Sequence, residues 1–111
     1  MSTMPYEIRD DVEEHLREVA VDVVVRTLAG PGEVAEPDRR HYRALFRALI
    51  ERGQRAGVFA SRVSGDVVAD FYLGSVRSLG LWCRPATEDV SVFIGHHYAS
   101  RLLEGLRTGA A

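Results

Sequence analysis

QRAGVFASRVSGDVVADFYLGSVRSLGLWC, residues 54–83, reads as the end of one helix, a short loop, and a long helix with almost no wet side. With Asp66 at zero and about 100° per residue, Asp66, Asp70, Arg77 and Arg84 fall within roughly 40° of one line. Val67, Val68, Phe71, Tyr72, Val76, Leu79, Leu81 and Trp82 take most of the remaining circumference. A helix with so narrow a charged stripe is expected to be covered on two sides. Its own fold supplies one cover, and a second copy of the chain is expected to supply the other.

Upstream, Pro37 starts a helix over 37–57 whose inward arc carries Tyr42, Leu45, Phe46, Leu49, Ile50, Gly53 and Ala56. Arg39 lies near the edge of that arc, while Arg40, Arg43, Arg47, Glu51, Gln54 and Arg55 face away. Glu51 interrupts the arginines, so they read as a solvated face and not as a nucleic-acid patch. Gly57 suits the turn after the helix, with Val58 and Phe59 folding back as the hydrophobic contact that often follows.

The long helix spans 65–83, capped by Ser64 or Gly65, with Asp66 in its first turn and Pro85 beyond its end. Thr87 caps the last helix, over 87–107. Val92, Ile94, Gly95, Tyr98, Ala99, Leu102, Leu103 and Leu106 fill about half its circumference. The polar half holds His96, His97, Ser100, Arg101, Glu104 and Arg107, with Phe93 stranded among them as a possible contact.

The first helix is expected over 5–28, with Ser2 or Thr3 as its cap and Pro5 in its first turn. Ile8, Val12, Leu16, Val19 and Val23 recur at helical spacing. The β-branched run at 19–25 would also suit a buried strand, but length and the pattern upstream favour helix. Ala29-Gly30-Pro31-Gly32 ends the segment, an acidic linker follows at 33–36, and residues 108–111 should fray.

Of the residues, 46% are apolar and 27% charged, the balance of an ordinary globular domain, and 111 residues suffice for one. The formal charge of −2 leaves no electrostatic footprint for nucleic acid. All 14 basic residues are arginine, which reads as a trace of a GC-rich, hence bacterial, genome. There is no apolar run of membrane-spanning length and no basic signal-peptide start, and the lone Cys83 suits a reducing compartment. The cytoplasm is the expected location.

Chemistry-bearing motifs are weak. His15, His41, His96 and His97 lack metal-ligand spacing, since His96 and His97 point about 100° apart and no HExxH or CxxC occurs. Cys83 reads as a small buried residue, and Asp66 with Asp70 as a solvated edge. No glycine loop suits a phosphate. No metal, cofactor or catalytic set is expected. The small residues say more: Gly74 and Ser78 share a side of the third helix with Val67, Phe71 and Leu81, and Gly95 and Ala99 lie on the apolar arc of the fourth. Small residues one turn apart let helix axes approach closely.

Taken together, Gly53-Gln54-Arg55-Ala56-Gly57-Val58-Phe59, the loop, Asp66, and a long helix with Gly74 and a late Trp82 resemble a known pattern. With the amphipathic helix at about 88–107, they resemble the C-terminal half of bacterial tetracycline-repressor (TetR/AcrR) regulators over roughly 37–107. The resemblance implies an all-α domain that binds a small molecule and dimerises through its last two helices, forming a four-helix bundle across the dyad. One departure is that residues 1–50 contain no helix-turn-helix head, so direct DNA binding is not carried over.

The expected fold is therefore a four-helix all-α domain forming a homodimer through Val67, Phe71, Gly74, Ser78 and Leu81 of the third helix and Gly95, Ala99, Leu102 and Leu106 of the fourth. An apolar ligand is expected against Tyr42, Phe46, Leu49, Ile50, Val68, Tyr72, Leu79 and Trp82. The leading function is a headless regulator-type sensor, able also to pair with a full-length relative. Two alternatives are a small enzyme using His15, Tyr42 or Asp70 as acid or base, and a purely structural dimerisation unit.

Overall fold

The computed structural model describes the backbone over residues 5–30 and 34–107 and side chains over 11–30 and 34–107. Four helices form in chain order: α1 (Pro5–Ala29), α2 (Glu36–Arg55), α3 (Gly65–Trp82) and α4 (Glu88–Leu106). The expected cap at Ser2 or Thr3 and the tail 108–111 lie outside the described residues. Among those residues no helix is long and apolar enough to cross a membrane.

Local chemistry sets the helix ends. The Ser64 hydroxyl accepts from the Val67 amide at 3.3 Å, and Thr87 does the same for Val90 at 3.3 Å. Each satisfies an amide that the first helical turn leaves without a partner, a contribution of about 1 kcal/mol. Asp66 in α3 and Glu88 and Asp89 in α4 place negative charge at the positive end of the helix dipole. α2 starts one residue before Pro37 and ends at Arg55, two short of Gly57. Ala56 takes the C-cap, and Gly57 turns the chain at φ 75°, a left-handed conformation that side chains resist.

Cross-helix contacts give an up-down-up-down order. Arg52 pairs with Asp11 while Tyr42 reaches Asp22, so α2 runs antiparallel to α1. Arg107 pairs with Glu13 and Arg17 donates to Ser100, so α4 does too. Arg43–Asp70 and Arg47–Asp66 set α3 antiparallel to α2. These acids were expected on a solvated edge of α3; they remain partly exposed but face the arginines of α2.

The central helix is α1, which packs against α2, α3 and α4. Val12, Leu16, Ala20, Val23, Val24, Thr27 and Leu28 are all buried along it. That coverage explains why the β-branched run at 19–25 stays helical: neighbours cover several sides, and packing outweighs a preference of a few tenths of a kcal/mol per residue. The Thr27 hydroxyl bonds the Val23 carbonyl at 2.7 Å and Tyr72 donates to the Ala20 carbonyl at 2.9 Å, so both polar groups are satisfied within the core.

Close approaches rest on missing side chains. A Cβ at Gly95 would stand 3.0 Å from Val21 Cγ1 and 3.3 Å from its Cα, so Gly95 lets α4 lie directly on α1. Gly65 similarly lies over the α2 backbone at Arg47. After α2 the chain folds back. Phe59 is buried, Ala60 donates to the Leu106 carbonyl at 2.7 Å, and Gln54 Nε2 donates to the carbonyls of Ala60 and Val63 at 3.1 and 2.8 Å. The loop between α2 and α3 is thereby tied both to the helix it leaves and to the end of α4.

Candidate functional site

α3 divides into two faces. Gly65, Ala69, Tyr72, Val76, Leu79 and Gly80 are buried against the rest of the protomer. On the opposite arc Phe71 and Leu81 are each 76% exposed, Trp82 72% and Val67 56%, with Gly74 and Ser78 open between them. The expected cover on both sides is thus met on one side only within the protomer. Among the described residues nothing lies within 4 Å of a Cβ built on Gly74, so the space beside it is open.

The α4 half of the expected interface is placed differently. Gly95, Ala99 and Leu106 are buried inside the protomer, where α4 packs on α1; of that set Leu102 alone remains half-buried at the surface. The outward row of α4 is Phe93, 73% exposed, followed one and two turns later by His97 and Arg101. Between this row and α3 runs a groove of about 410 Å³ whose walls include Phe71, Ser75, His97, Tyr98, Arg101 and Leu102.

The eight residues expected around a ligand do not enclose one cavity. Phe46, Leu49, Ile50, Tyr72 and Leu79 are buried in a filled core, where the Phe46 and Tyr72 rings lie 5.2 Å apart. Val68 packs at the core's margin. Trp82 was expected to face inward and instead lies on the open arc of α3. At 3.6 residues per turn, Trp82 stands only about 40° from Ser78, whereas the buried Leu79 is about 60° away on the other side.

Tyr42 does line a hollow, but with different neighbours. Between α1, α2 and α3 lies a cavity of about 20 Å³ bounded by Val23, Val34, Leu73 and Val76, with Thr27, Arg39, Tyr42 and Arg77 as its polar members. That is space for about one water. Of these, the sequence pattern singled out Tyr42 for the site, noted Arg39 at the edge of an arc, and placed Arg77 on a charged stripe. Helical periodicity marks such positions as boundaries, without indicating which boundaries meet.

The Tyr42 hydroxyl donates to Asp22 and accepts from Arg26 at 3.4 Å. Burial first, then the bond to Asp22, push its pKa up to about 12, so it keeps its proton near neutrality. Burial raises Tyr72 as well. Of His15, Tyr42 and Asp70, considered as acid or base candidates, Asp70 is not brought to the other two. His15, His41 and Tyr42 border an open groove of about 360 Å³ between α1 and α2, while Asp70 pairs with Arg43 on the α2–α3 side at 2.7 Å. Among the described residues, no three histidine, cysteine or acidic side chains cluster in a way that could hold a metal ion.

The family described as "Tetracyclin repressor-like, C-terminal domain" matches the sequence over residues 31–106, which takes in α2, α3 and α4 and leaves α1 outside. No curated protein and no solved structure matches the chain.

Proposed function

This chain belongs to the tetracyclin repressor-like C-terminal domain family, and we propose that it is the dimerising, small-molecule-sensing module of a regulator of that type. The observation that carries the dimer is the uncovered arc of α3, where Val67, Phe71, Leu81 and Trp82 stand exposed around Gly74 and Ser78. Full burial of each large side chain is worth roughly 1.5–3 kcal/mol. Four such side chains on each of two protomers supply a term of the same order as the association cost of about 4–15 kcal/mol. An isologous pair needs only one self-complementary patch, and Gly74 and Ser78 let two such helices cross closely. The α4 contribution is Phe93 with the groove at Tyr98 and Leu102, in place of Gly95, Ala99 and Leu106. A longer relative carrying the same face would pair by the same surface.

Light scattering at micromolar concentration tests this reading. The expected mass is that of two chains, and Leu81→Arg or Phe71→Glu should give a folded monomer, since both side chains are already outside the protomer core. Trp82, the sole tryptophan, reports the same event. Its emission should shift to the red on dilution through the dissociation range. A wild-type chain that stays monomeric and folded at high concentration overturns the proposal.

The solid packing of Phe46 against Tyr72 favours a second reading, a dimerisation unit with no ligand. The two separate on binding: a sensor has a small molecule that stabilises it saturably by mass action, whereas a purely structural unit has none.

A further inference from the structure

Resting on the sensing half of that reading, we propose that the hollow between α1, α2 and α3 takes a small amphipathic carboxylate, its carboxylate between Arg39 and Arg77 and its short apolar end against Val23, Leu73 and Val76. Arg43, Arg47, Arg52, Arg101 and Arg107 each sit between 2.7 and 3.2 Å from a carboxylate. The two arginines at the hollow do not. Arg39 has only Glu36, at 3.8 Å and largely in solvent, and Arg77 has no ion pair among the described residues.

Arg39 and Arg77 thus both line one small, partly open hollow with mostly apolar walls, and among the described residues no carboxylate pairs with either more closely than Glu36 does with Arg39. Like charges held beside a low-dielectric wall favour an anion, because the attraction is less screened there than in water. A guanidinium offers parallel N–H donors that match the two oxygens of a carboxylate. Val23 and Val76 offer no hydrogen bond, and the Thr27 and Tyr42 hydroxyls in the lining already donate to Val23 and Asp22, so an apolar end suits what lies beyond the charged group. Size follows from volume. At about 20 Å³ the hollow accepts one or two heavy atoms before its rim moves. Val34, Leu73 and Arg39 in its lining are half-buried side chains, so a longer ligand requires them to move outward. A short chain or a single ring asks the least of that movement, and a large flat ligand the most.

The test uses the whole chain with matched probes: butyrate, hexanoate and phenylacetate against butyramide, hexanamide and phenylacetamide, with inorganic phosphate as the anion lacking an apolar end. Binding is read by calorimetry and by the melting temperature. At least one carboxylate should bind saturably, at least about tenfold more tightly than its amide, and weaken as salt is added. Arg39→Gln and Arg77→Gln should each weaken it about tenfold while leaving the unliganded melting temperature and the oligomeric state unchanged. Equal binding of amide and acid would overturn the anionic ligand class and leave the sensor reading standing. Carboxylate binding unaffected by either substitution would overturn the site, and phosphate binding as tightly as hexanoate would overturn the apolar requirement. Failure of every probe in the series would overturn this inference, and it would remove the sensor reading as well if a broad panel of neutral apolar compounds also left the melting temperature unmoved.

Discussion

The ring of Phe59 lies over the backbone of Gly53, so that a Cβ at position 53 would stand 2.1 Å from Phe59 Cδ2 and 2.4 Å from Cε2. This contact turns the chain back after α2 and seats Phe59 in the core. It gives a physical reason for the spacing Gly53-Gln54-x-x-Gly57-x-Phe59: a gap for the ring, a donor for the loop, a left-handed turn, and the ring itself.

Gly53→Ala should destabilise the protein, although helix propensity alone predicts a gain of about 1 kcal/mol. Overpacking a filled site costs typically about 1–3 kcal/mol, and the obstructing atoms belong to a rigid buried ring, not to a flexible tip. The clash therefore wins. Urea unfolding should show a lower midpoint for Gly53→Ala, partly recovered in Gly53→Ala/Phe59→Leu; a raised midpoint in the single variant would refute the contact.

At Gly74 the opposite sign is expected. No atom of the described residues lies within 4 Å of a Cβ built there, so Gly74→Ala should stabilise the isolated protomer by about 0.5–1 kcal/mol. If two α3 helices cross at this residue, the same methyl holds them apart. Unfolding followed on a monomeric Leu81→Arg background should rise, while light scattering on the otherwise wild-type chain should show weaker dimerisation.

Gln54→Glu should cost about 1–3 kcal/mol. The amide donates to two carbonyls, Ala60 at 3.1 Å and Val63 at 2.8 Å, whereas a carboxylate has no proton to offer and would face two acceptors. Chemical unfolding measures the loss, and faster amide exchange over 58–64 should locate it. Equal stability of the two proteins would show that the loop is held without these bonds.

Stability should fall in the alkaline range. The Tyr42 pKa lies at about 12 in the folded protein, against about 10 in an unfolded chain. The folded state therefore binds this proton more tightly. Its contribution is fully present below about pH 10 and is lost as the pH rises from 10 toward 12. Tyr72, raised by burial, acts with the same sign. Denaturation series between pH 8 and 11.5 should show this decline, and Tyr42→Phe and Tyr72→Phe should each make it shallower. An unchanged slope in both variants would assign the decline to other groups.

Much of the architecture is local chemistry and can be read in order along the chain. Ser64 and Thr87 each have an amide three residues on to receive, Gly57 supplies a left-handed turn, and the arcs of α2 and α4 repeat at the helical period. These features depend on neighbours within one or two turns, so the sequence alone determines four helices, close to where each begins and ends, and the Gly53–Phe59 return. What the arcs face depends on the whole chain. Periodicity places Gly74 and Gly95 alike on apolar arcs of their helices, yet Gly95 closes onto Val21 and Gly74 opens onto empty space. It groups Phe46, Tyr72 and Trp82 as large inward residues, yet the first two fill the core and the third stands outside it. The physical reason is that burial is non-directional and proportional to area: an apolar arc gains as much against α1 as against a second copy. Only the tertiary structure chose between them, by making α1 the helix that the other three surround and leaving one face of α3 uncovered by the other described residues.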